Sequence, residues 1–562
     1  MSGVAKLTVL IVGGYGTFGG RLALLLAEQA QLRLIIAGRS IERAAAFIAT
    51  LPAGADKQPL AFDRDGAEIA ALIRAQAVDI VVDATGPFQG YGTDPYRLVR
   101  ASLEAGAHYL DLADSSEFVG GIVEFDQEAK RLDRFVLSGV SSFPVLTAAV
   151  LDELSKGLSS VEHLRGGIAP SPYAGIGPNV IEAILSYSGQ AVGVVREGKV
   201  TTAFGMTETM RFTIAPPGRM PLRSIRFSLV DVPDLLLLPQ AYTGLQSVWM
   251  GAGTRPEFLH RLLNGLGWLV RLKLLPTLTW LRAVVFEVQK YVRWGEHRGG
   301  MFVEVTGSGP DGPVRRSWHL LAEGSDGPLI PSMAVQSIVL KMLDGMQPES
   351  GARPAVGALT LADYDRVFAG RMLYWGLRDD SLIEGPLYQR CLGAAWVDLP
   401  PAVRDLHDHQ GSWHVGGVAQ IETGSGLLSG LARRFFGFPA AGSDVPVTVE
   451  FIERHGVETW TRRFGDARFS SVQLMGRGLD ERLIVEKFGP VRVSLAVVAT
   501  AERLTLVTRR WTVFGIPLPL WLGPRADAYE FEQYEQFHFH VELSHPLAGL
   551  IVRYTGWLKS PD

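Results

Sequence analysis

The stretch that most constrains this chain runs from Leu7 to Gly20, LTVLIVGGYGTFGG. Its first seven residues are typical of a buried parallel strand, and Gly14-Tyr15-Gly16-Thr17-Phe18-Gly19 (G-x-G-x-x-G) follows at once and opens a helical pattern. We expect Gly14 to make the tight turn, Gly16 to leave room for a pyrophosphate, and Gly19 to let the helix pack closely on the strand. Since a helix N-terminus attracts phosphate, the stretch predicts a dinucleotide site. A glycine-rich turn without a ligand is the alternative.

The end of the second predicted strand, 32–37, indicates which dinucleotide binds. Gly38, Arg39 and Ser40 stand where an NAD-binding site usually carries an acidic residue for the ribose 2′-hydroxyl. A guanidinium pairs with a 2′-phosphate, which a carboxylate would repel. Arg39 therefore favours NADP over NAD. Ser40 either adds a hydroxyl donor to this site or caps the helix that follows.

Size and composition limit the classes of protein to consider. At 562 residues the chain predicts roughly two to four domains. A net charge of −4, without a basic tail, argues against nucleic acid as the main partner. The single cysteine, Cys391, excludes an internal disulfide and fits a reducing cytoplasm. We see no signal peptide, and the longest uncharged run, 235–254, is a poor transmembrane helix.

Strand and helix patterns alternate through residues 1–145, which predicts a doubly wound parallel (Rossmann) sheet with ligands at the carboxyl ends of its strands. The third strand ends at Asp63, which we place beside the adenine, and Asp65 with Glu68 predicts a capping box for the next helix. The loop after the fourth strand should face the nicotinamide ribose. Its residues are Ala84, Thr85, Gly86, Pro87 and Phe88.

Several of these motifs resemble the saccharopine dehydrogenase-like oxidoreductases. They are the glycine motif at 14–19, A-G-R at 37–39, A-T-G-P-F at 84–88, G-A-H-Y-L-D-L at 106–112, G-P-L-I-P at 327–331 and G-A-R-P at 351–354. The resemblance covers roughly residues 1–370, strongly in the first 145 and loosely beyond. It implies a substrate domain that interrupts the dinucleotide domain, with the chain returning to the latter at 332–372 through a helix at 332–343.

Residues 146–331 change to longer alternating strands and predict an α+β substrate domain built on an antiparallel sheet. Its insert 257–291 is helical and apolar on nearly every side, with Arg261, Asn264 and Arg271 on one narrow arc. Burial in this domain or in a homodimer interface is one interpretation. A membrane surface or a lipid substrate is the other.

Residues 373–562 predict a separate α+β unit, mainly a curved antiparallel sheet of at least six strands around an apolar interior. W-T-R-R-F at 460–464, G-I-P-L-P-L at 515–520 and H-P-L-A-G-L at 545–550 resemble an uncharacterised C-terminal domain family that follows such dehydrogenase-like chains. That resemblance implies no activity.

The catalytic groups are not determined by any motif. Candidates at strand ends and in the second domain are Asp114, Ser141, Tyr173 and Asn179, with Ser115, Glu117, Tyr242 and His319 as further polar groups. Each has an ordinary structural alternative, such as helix capping for Asp114 and Ser115. The pairs His407/His409 and His538/His540 lack clustered acids or cysteines, so we expect no metal site.

Together these features predict an NADP-dependent reductase acting on a C=C, C=O or C=N bond of an apolar, lipid-like small molecule. The alternative is a non-catalytic NADP-sensing or membrane-surface scaffold. We expect a cytoplasmic protein, with peripheral attachment to the inner face of the membrane through 257–291 and a homodimer as open alternatives.

Overall fold

The computed structural model describes residues 6–175, 177–381 and 385–560. They form two compact units, residues 1–210 with 226–374, and residues 211–225 with 375–562. The dinucleotide and substrate sheets thus share one unit. Segment 211–225, predicted within the substrate domain, belongs to the second unit because its carbonyls bond there. Ala215 O accepts from Arg378 Nε at 2.6 Å, and Gly218 O accepts from Ala499 N at 3.0 Å.

A seven-stranded parallel sheet carries the first motif, as predicted. Six strands come from the start of the chain, and Gly351–Pro354 joins the edge beside the sixth. The six strands are β1 Leu7–Val12, β2 Leu32–Gly38, β3 Asp56–Ala61, β4 Ile80–Asp83, β5 His108–Asp111 and β6 Phe135–Ser138. The sheet order runs from Gly351–Pro354 through β6, β5, β4, β1 and β2 to β3. The order therefore reverses between β1 and β4, where dinucleotides bind in doubly wound sheets.

Helices connect these strands. They are α1 Thr17–Leu26, α2 Ile41–Ile48, α3 Ile69–Ala75, α4 Arg97–Glu104, α5 Ser116–Gly121, α6 Asp126–Arg131 and α7 Thr147–Ser155. The predicted capping box at Asp65 and Glu68 is wrong. The helix begins later, at Ile69, and Glu68 makes no capping bond, while the Asp63 carboxylate accepts the Asp65 N–H at 3.1 Å and holds a turn instead.

The second sheet is mixed rather than antiparallel. Its order is β10, β11, β12, β7, β13, β14, β16, and β7 pairs with β12 in parallel. The long connection between those two strands includes a helix and a separate hairpin, and such a crossover allows parallel pairing. The strands of this sheet are β7 Ser160–Ala169, β10 Thr209–Phe212, β11 Ile225–Leu229, β12 Ser247–Gly253, β13 Gly299–Gly309, β14 Gly312–Ala322 and β16 Leu373–Asp379. The separate hairpin consists of β8 Ala191–Arg196 and β9 Lys199–Phe204, and β15 is the strand Gly351–Pro354 of the first sheet.

Helices α8 Pro178–Tyr187, α9 Asp234–Ala241, α10 Glu257–Arg271 and α11 Arg282–Tyr291 accompany this sheet. The chain then returns to the first sheet through α12 Ile330–Leu343 and α13 Leu361–Phe368. Helix α12 lies on α1, where Ser332 Oγ donates to Phe18 O at 3.1 Å and Gln336 Nε2 donates to Leu25 O at 3.3 Å.

The insert 257–291 buries polar side chains of α10 and leaves apolar ones exposed. The buried side of α10 includes His260 and Asn264, because Ser228 Oγ lies 2.7 Å from His260 Nε2 and 2.8 Å from Asn264 Nδ2. Leu278 is fully buried, whereas Leu262, Trp268, Leu269, Leu272 and Leu274 are exposed. Burial within this chain therefore does not account for the outer apolar face.

The second unit contains a closed antiparallel barrel of ten strands, with β24 added at β23. The ring runs β22, β21, β20, β19, β18, β17, β27, β26, β25, β23 and closes by pairing of β22 with β23. The strands are β17 Ser412–Thr423, β18 Gly442–Arg454, β19 Val457–Phe464, β20 Ala467–Met475, β21 Ile484–Phe488, β22 Val491–Ala499, β23 Arg503–Val513, β24 Ile516–Leu518, β25 Arg525–Gln533, β26 Gln536–His545 and β27 Gly549–Lys559.

Three helices belong to this unit, α14 Leu387–Leu392, α15 Pro401–His407 and α16 Leu427–Phe436. The prediction of an antiparallel sheet around an apolar interior is confirmed, with more strands than the six expected. Across the described residues, no helix combines the length and the apolar run that crossing a bilayer requires.

Candidate functional site

A cleft of about 380 Å³ opens at the carboxyl ends of β1, β2 and β4. All but three of the predicted cofactor-binding residues line it. The lining set is Tyr15, Gly16, Thr17, Phe18, Arg39, Asp63, Ala84, Thr85, Gly86, Pro87 and Phe88. Gly14, Gly19 and Ser40 are not among the lining residues. The motifs at 14–19, 39–40, 63 and 84–88 are thus brought together at one place.

Within the glycine motif, the turn out of β1 falls one residue earlier than the sequence predicts. The left-handed turn out of β1 falls on Gly13, with φ of +78°, and not on Gly14. Gly14 is needed for packing, since a Cβ there would lie 2.8 Å from Ile11 O. A Cβ at Gly19 would overlap Gly13 O, so α1 packs as closely on the strand end as predicted. Gly16 precedes α1 and faces the cleft without a side chain, which leaves room for a pyrophosphate.

Arg39 lies at the end of the cleft formed by β2, with its side chain exposed. Within the part of the chain that the structure describes, its guanidinium makes no ion pair or hydrogen bond, so it is available to an anion. Ser40 is already engaged: its Oγ accepts from Arg43 N at 3.2 Å as the cap of α2 and donates to Glu42 Oε2 at 2.8 Å. The capping alternative for Ser40 describes its contacts.

The loop after β4 is held by a buried carboxylate, that of Asp83. Its Oδ1 accepts from Thr85 N at 3.0 Å and from Thr85 Oγ1 at 2.6 Å, and Tyr91 Oη donates to its Oδ2 at 3.1 Å. The Arg64 guanidinium stacks 3.4 Å above the Tyr91 ring. Burial raises the pKa of Asp83, and the Thr85 hydrogen bond and the charge of Arg64 partly offset that rise. This network fixes the part of the cleft predicted to face the nicotinamide ribose.

A second buried carboxylate ends β5. Asp111 Oδ1 accepts from Gly139 N at 2.7 Å and from Ala113 N at 3.0 Å, and thereby joins the loops that follow β5 and β6. Burial raises the pKa of Asp111 to about 7. Sequence reasoning missed both carboxylates. The signal available was an acidic last residue on each of two otherwise apolar strands.

An apolar chamber of about 280 Å³ adjoins the cleft. The two cavities share Thr17, Phe18, Asp114, Gly177 and Val180, so they lie side by side. The rest of the chamber is lined mainly by apolar side chains and glycines of both sheets, with Phe143, Ile168, Val230, Met301 and Pro331 among them. Such a lining suits an apolar ligand.

Three titratable groups interact in the chamber. Asp114 is exposed to this space; desolvation by the surrounding protein raises its pKa, while a bond from Gln89 Nε2 at 3.2 Å opposes the shift. Desolvation also raises the pKa of Asp231, whose Oδ1 accepts from Ser116 Oγ at 3.0 Å. Burial and these two carboxylates raise the pKa of Tyr187, which keeps its phenol protonated. Tyr187 and Asp231 were missed because nothing in their sequence context distinguishes them.

The four catalytic candidates are separated by the fold. Asp114 lines both cavities, and Asn179 lines the cleft, where its Nδ2 donates to Gly86 O at 3.0 Å. Ser141 lines neither cavity, although the adjacent Ser142 and Phe143 line the chamber. The Tyr173 ring stacks on His297 at 3.5 Å between centroids and lines neither cavity.

The further polar groups have structural roles. Ser115 Oγ caps α5 by accepting from Phe118 N at 3.3 Å. Tyr242 Oη donates to Asp152 Oδ1 at 2.7 Å, and His319 Nε2 lies 2.9 Å from Ser317 Oγ in the core. Glu117 lies in the first turn of α5. Residues 6–175, 177–381 and 385–560 contain no group of three potential metal ligands.

Comparisons with solved structures find matches of low identity and low TM-score. A probable dehydrogenase from Thermotoga maritima is 13% identical, covers 64% of this chain and 93% of its own, and has a TM-score of 0.33. The WlbA dehydrogenase from Thermus thermophilus, solved with NAD and alpha-ketoglutarate, is 14% identical over 64% of this chain and 95% of its own, with a TM-score of 0.30. Biliverdin reductase from Synechocystis, solved with biliverdin and NADP+, is 13% identical over 62% of this chain and 93% of its own, with a TM-score of 0.27. No curated protein matches the chain.

Comparison with family models is more specific. The model of the saccharopine dehydrogenase NADP binding domain matches residues 9–136, which contain β1 to β5 and most of the cleft. A domain of unknown function, DUF4166, matches residues 399–558, which contain the barrel. Residues 9–136 therefore match a saccharopine dehydrogenase NADP-binding domain and residues 399–558 match a DUF4166 domain, in the arrangement that the motifs predicted.

Proposed function

We propose that the protein is an NADPH-dependent reductase of an apolar small molecule. The observation that carries this proposal is that an apolar chamber adjoins the dinucleotide cleft, with Thr17, Phe18 and Asp114 lining both. A cofactor in the cleft and a substrate in the chamber would meet there. The residues present fit NADP: Gly16 leaves space for the pyrophosphate, and Arg39 offers an unpaired guanidinium.

When bound, NADPH supplies a hydride for the substrate carbon, and the protein must then supply a proton to the neighbouring atom of the reduced bond. Tyr187 is the group we assign to this role, because its neutral phenol belongs to the chamber lining and interacts with the two carboxyls there. The apolar walls exclude water, which strengthens this proton transfer.

The substrate class follows from the same lining. The chamber offers Arg21 as its basic side chain, together with two carboxylates. A dicarboxylic amino acid would meet more negative charge than positive charge there. We therefore propose an apolar aldehyde, ketone, imine or enoyl compound.

Cofactor preference tests the first half of this proposal. We expect NADPH to bind at least tenfold more tightly than NADH, which corresponds to about 1.4 kcal/mol and lies within the range of a charge-assisted hydrogen bond. Arg39→Ala should remove this preference and leave NADH affinity unchanged in calorimetric titration. Arg74→Ala, an exposed arginine that pairs with Glu104 on α3 and α4, is the control. Equal affinity of the wild-type protein for both cofactors would contradict the assignment.

Proton supply tests the second half. With an apolar enal, ketone or imine that the wild-type protein reduces, Tyr187→Phe should lower kcat by about a hundredfold while NADPH affinity stays constant, because the phenol acts in the chemical step. The absorbance of NADPH provides the rate. Tyr242→Phe, which removes a hydroxyl bonded to Asp152, should leave kcat unchanged. An unaltered kcat in Tyr187→Phe would exclude Tyr187 as the donor.

We also propose that segment 257–291 attaches the protein to an anionic bilayer. Its exposed apolar side chains lie among five basic residues and only two acidic ones in a chain whose net charge is −4. Apolar burial combined with attraction to anionic lipid is how amphipathic helices bind a membrane surface. A twin subunit would bury the apolar side chains equally well but would gain nothing from the excess of basic charge.

Paired substitutions distinguish attachment from folding. Trp268 and Leu269 are 43% and 38% exposed, so Trp268→Asp with Leu269→Asp should change Tm little. The double variant should weaken co-sedimentation with phosphatidylglycerol vesicles at least tenfold, since burying one such side chain contributes roughly 1.5–3 kcal/mol. Val200→Asp, at an exposed valine of the β8–β9 hairpin, is the control. A steep fall in Tm, or unchanged sedimentation, would overturn the proposal.

A further inference from the structure

The barrel of the second unit encloses a cavity of about 200 Å³. One water molecule needs roughly 10–15 Å³ of such space, so the cavity is far larger than a packing defect. Its walls are aromatic and aliphatic side chains that alternate along the strands and face inward, as Trp460, Arg462 and Phe464 do on β19. An apolar cavity of this size is a binding site for an apolar molecule of matching shape.

One part of the wall is polar and organised around Glu486. Its Oε1 accepts from Ser471 Oγ at 2.7 Å, from Gln473 Nε2 at 3.2 Å and from Arg462 Nη2 at 3.4 Å. Arg462 Nη1 also donates to Ser471 Oγ at 2.9 Å, and Tyr388 Oη donates to Gln473 Oε1 at 3.0 Å. Both members of the Arg462–Glu486 pair are nearly buried, with side chains 14% and 11% exposed. We refer to Tyr388, Arg462, Ser471, Gln473 and Glu486 as the polar cluster.

The charge inside the barrel limits what this cluster can bind. The charge of Arg462 is neutralised by Glu486. Two further carboxylates are buried close by: Glu458 accepts from Trp460 Nε1 at 3.0 Å, and Glu530 lies 2.6 Å from His407 Nε2. Burial and these three carboxylates raise the pKa of Tyr388, so its phenol stays neutral. A ligand carboxylate would enter a region that already holds three acidic groups and one paired guanidinium.

We propose that the barrel binds an uncharged amphiphile, such as a monoacylglycerol or a long-chain alcohol. Its hydrocarbon chain lies among the aromatic and aliphatic walls. Its hydroxyl or carbonyl group exchanges hydrogen bonds with the polar cluster, where Arg462 and Tyr388 donate and Glu486 and Gln473 accept. This site goes beyond the proposed reductase, because it lies in the other compact unit and involves no residue of the dinucleotide cleft.

Two segments mark where such a ligand enters. Helix α16 and the two residues after it place Phe436 and Phe438 in the cavity wall, yet leave Leu427, Leu431 and Phe435 exposed by 90%, 66% and 69%. The connection between β23 and β25 likewise places Leu520 and Pro524 in the wall and exposes Phe514 and Trp521. According to the strand register, both segments lie at the same end of the barrel. At that end Val491 pairs with Val513, and Phe464 stands next to the β19–β20 turn. A mouth edged by exposed apolar side chains receives a poorly water-soluble ligand.

Competition binding on the full-length protein tests the ligand class. The probe is a monoacylglycerol carrying a nitrobenzoxadiazole fluorophore on its chain, and the competitors are monoolein, oleyl alcohol, oleate and oleylamine, all below their aggregation concentrations. We expect monoolein and oleyl alcohol to displace the probe at concentrations at least tenfold lower than oleate or oleylamine. Failure of the probe to bind, or displacement that favours oleate, would overturn the proposal.

Two variants locate the site. Glu486→Gln keeps the shape of the side chain but leaves Arg462 without its counter-charge, so the affinity for oleate should rise at least tenfold. The control, Glu502→Gln at an exposed glutamate of a hairpin, should leave that affinity unchanged. Val493→Trp, at a cavity-lining valine of β22, should fill the space and abolish probe binding. Unchanged Tm and NADPH affinity show that each variant is folded, and an unchanged oleate affinity in folded Glu486→Gln would place the ligand elsewhere. Loss of reductase activity has no bearing on these outcomes.

Discussion

The close approach of α1 to the end of β1 is the contact on which the first unit depends. A Cβ at Gly19 would overlap the carbonyl of Gly13, so the helix can start at Thr17 only because both positions are glycine. That approach directs the N-terminus of α1 into the crevice where the strand order reverses. Helix α12 then covers the other side of α1 through bonds to Phe18 O and Leu25 O. The cleft and its late-returning chain segment are therefore consequences of one backbone packing requirement.

Buried carboxylates complete the site by fixing loops instead of reacting. Asp83 holds the loop after β4, and Asp111 joins the loops after β5 and β6 through two backbone N–H groups. Burying a carboxylate is costly unless hydrogen bonds compensate; both oxygens of Asp83 accept hydrogen bonds, whereas among the described residues only Oδ1 of Asp111 has partners. The chamber differs, because Asp114, Asp231 and Tyr187 are clustered next to open space with raised pKa values. Perturbed groups beside a cavity are where acid–base chemistry is expected.

Much of this could be predicted from local sequence. The alternation of strands and helices and the glycine motif identify the parallel sheet, and alternation of apolar residues identifies the barrel. The position of the left-handed turn, Gly13 rather than Gly14, could not be predicted, because the two glycines are adjacent and either could make the turn. Parallel pairing of β7 with β12 is set by a long crossover and leaves no local signal. The sequence left open whether the outer apolar face of α10 is buried or exposed, because only the tertiary fold supplies the buried partners of Asn264 and His260.

The central claim is that the dinucleotide cleft and the apolar chamber form a single reductase site. A crystal structure of the protein with NADP+ measures this most directly. We predict that the 2′-phosphate contacts Arg39, that the pyrophosphate lies over Gly16, and that the nicotinamide ring reaches the junction at Asp114 with its reactive face toward the chamber. A nicotinamide ring directed away from the chamber, or a dinucleotide bound outside the cleft, would contradict the account.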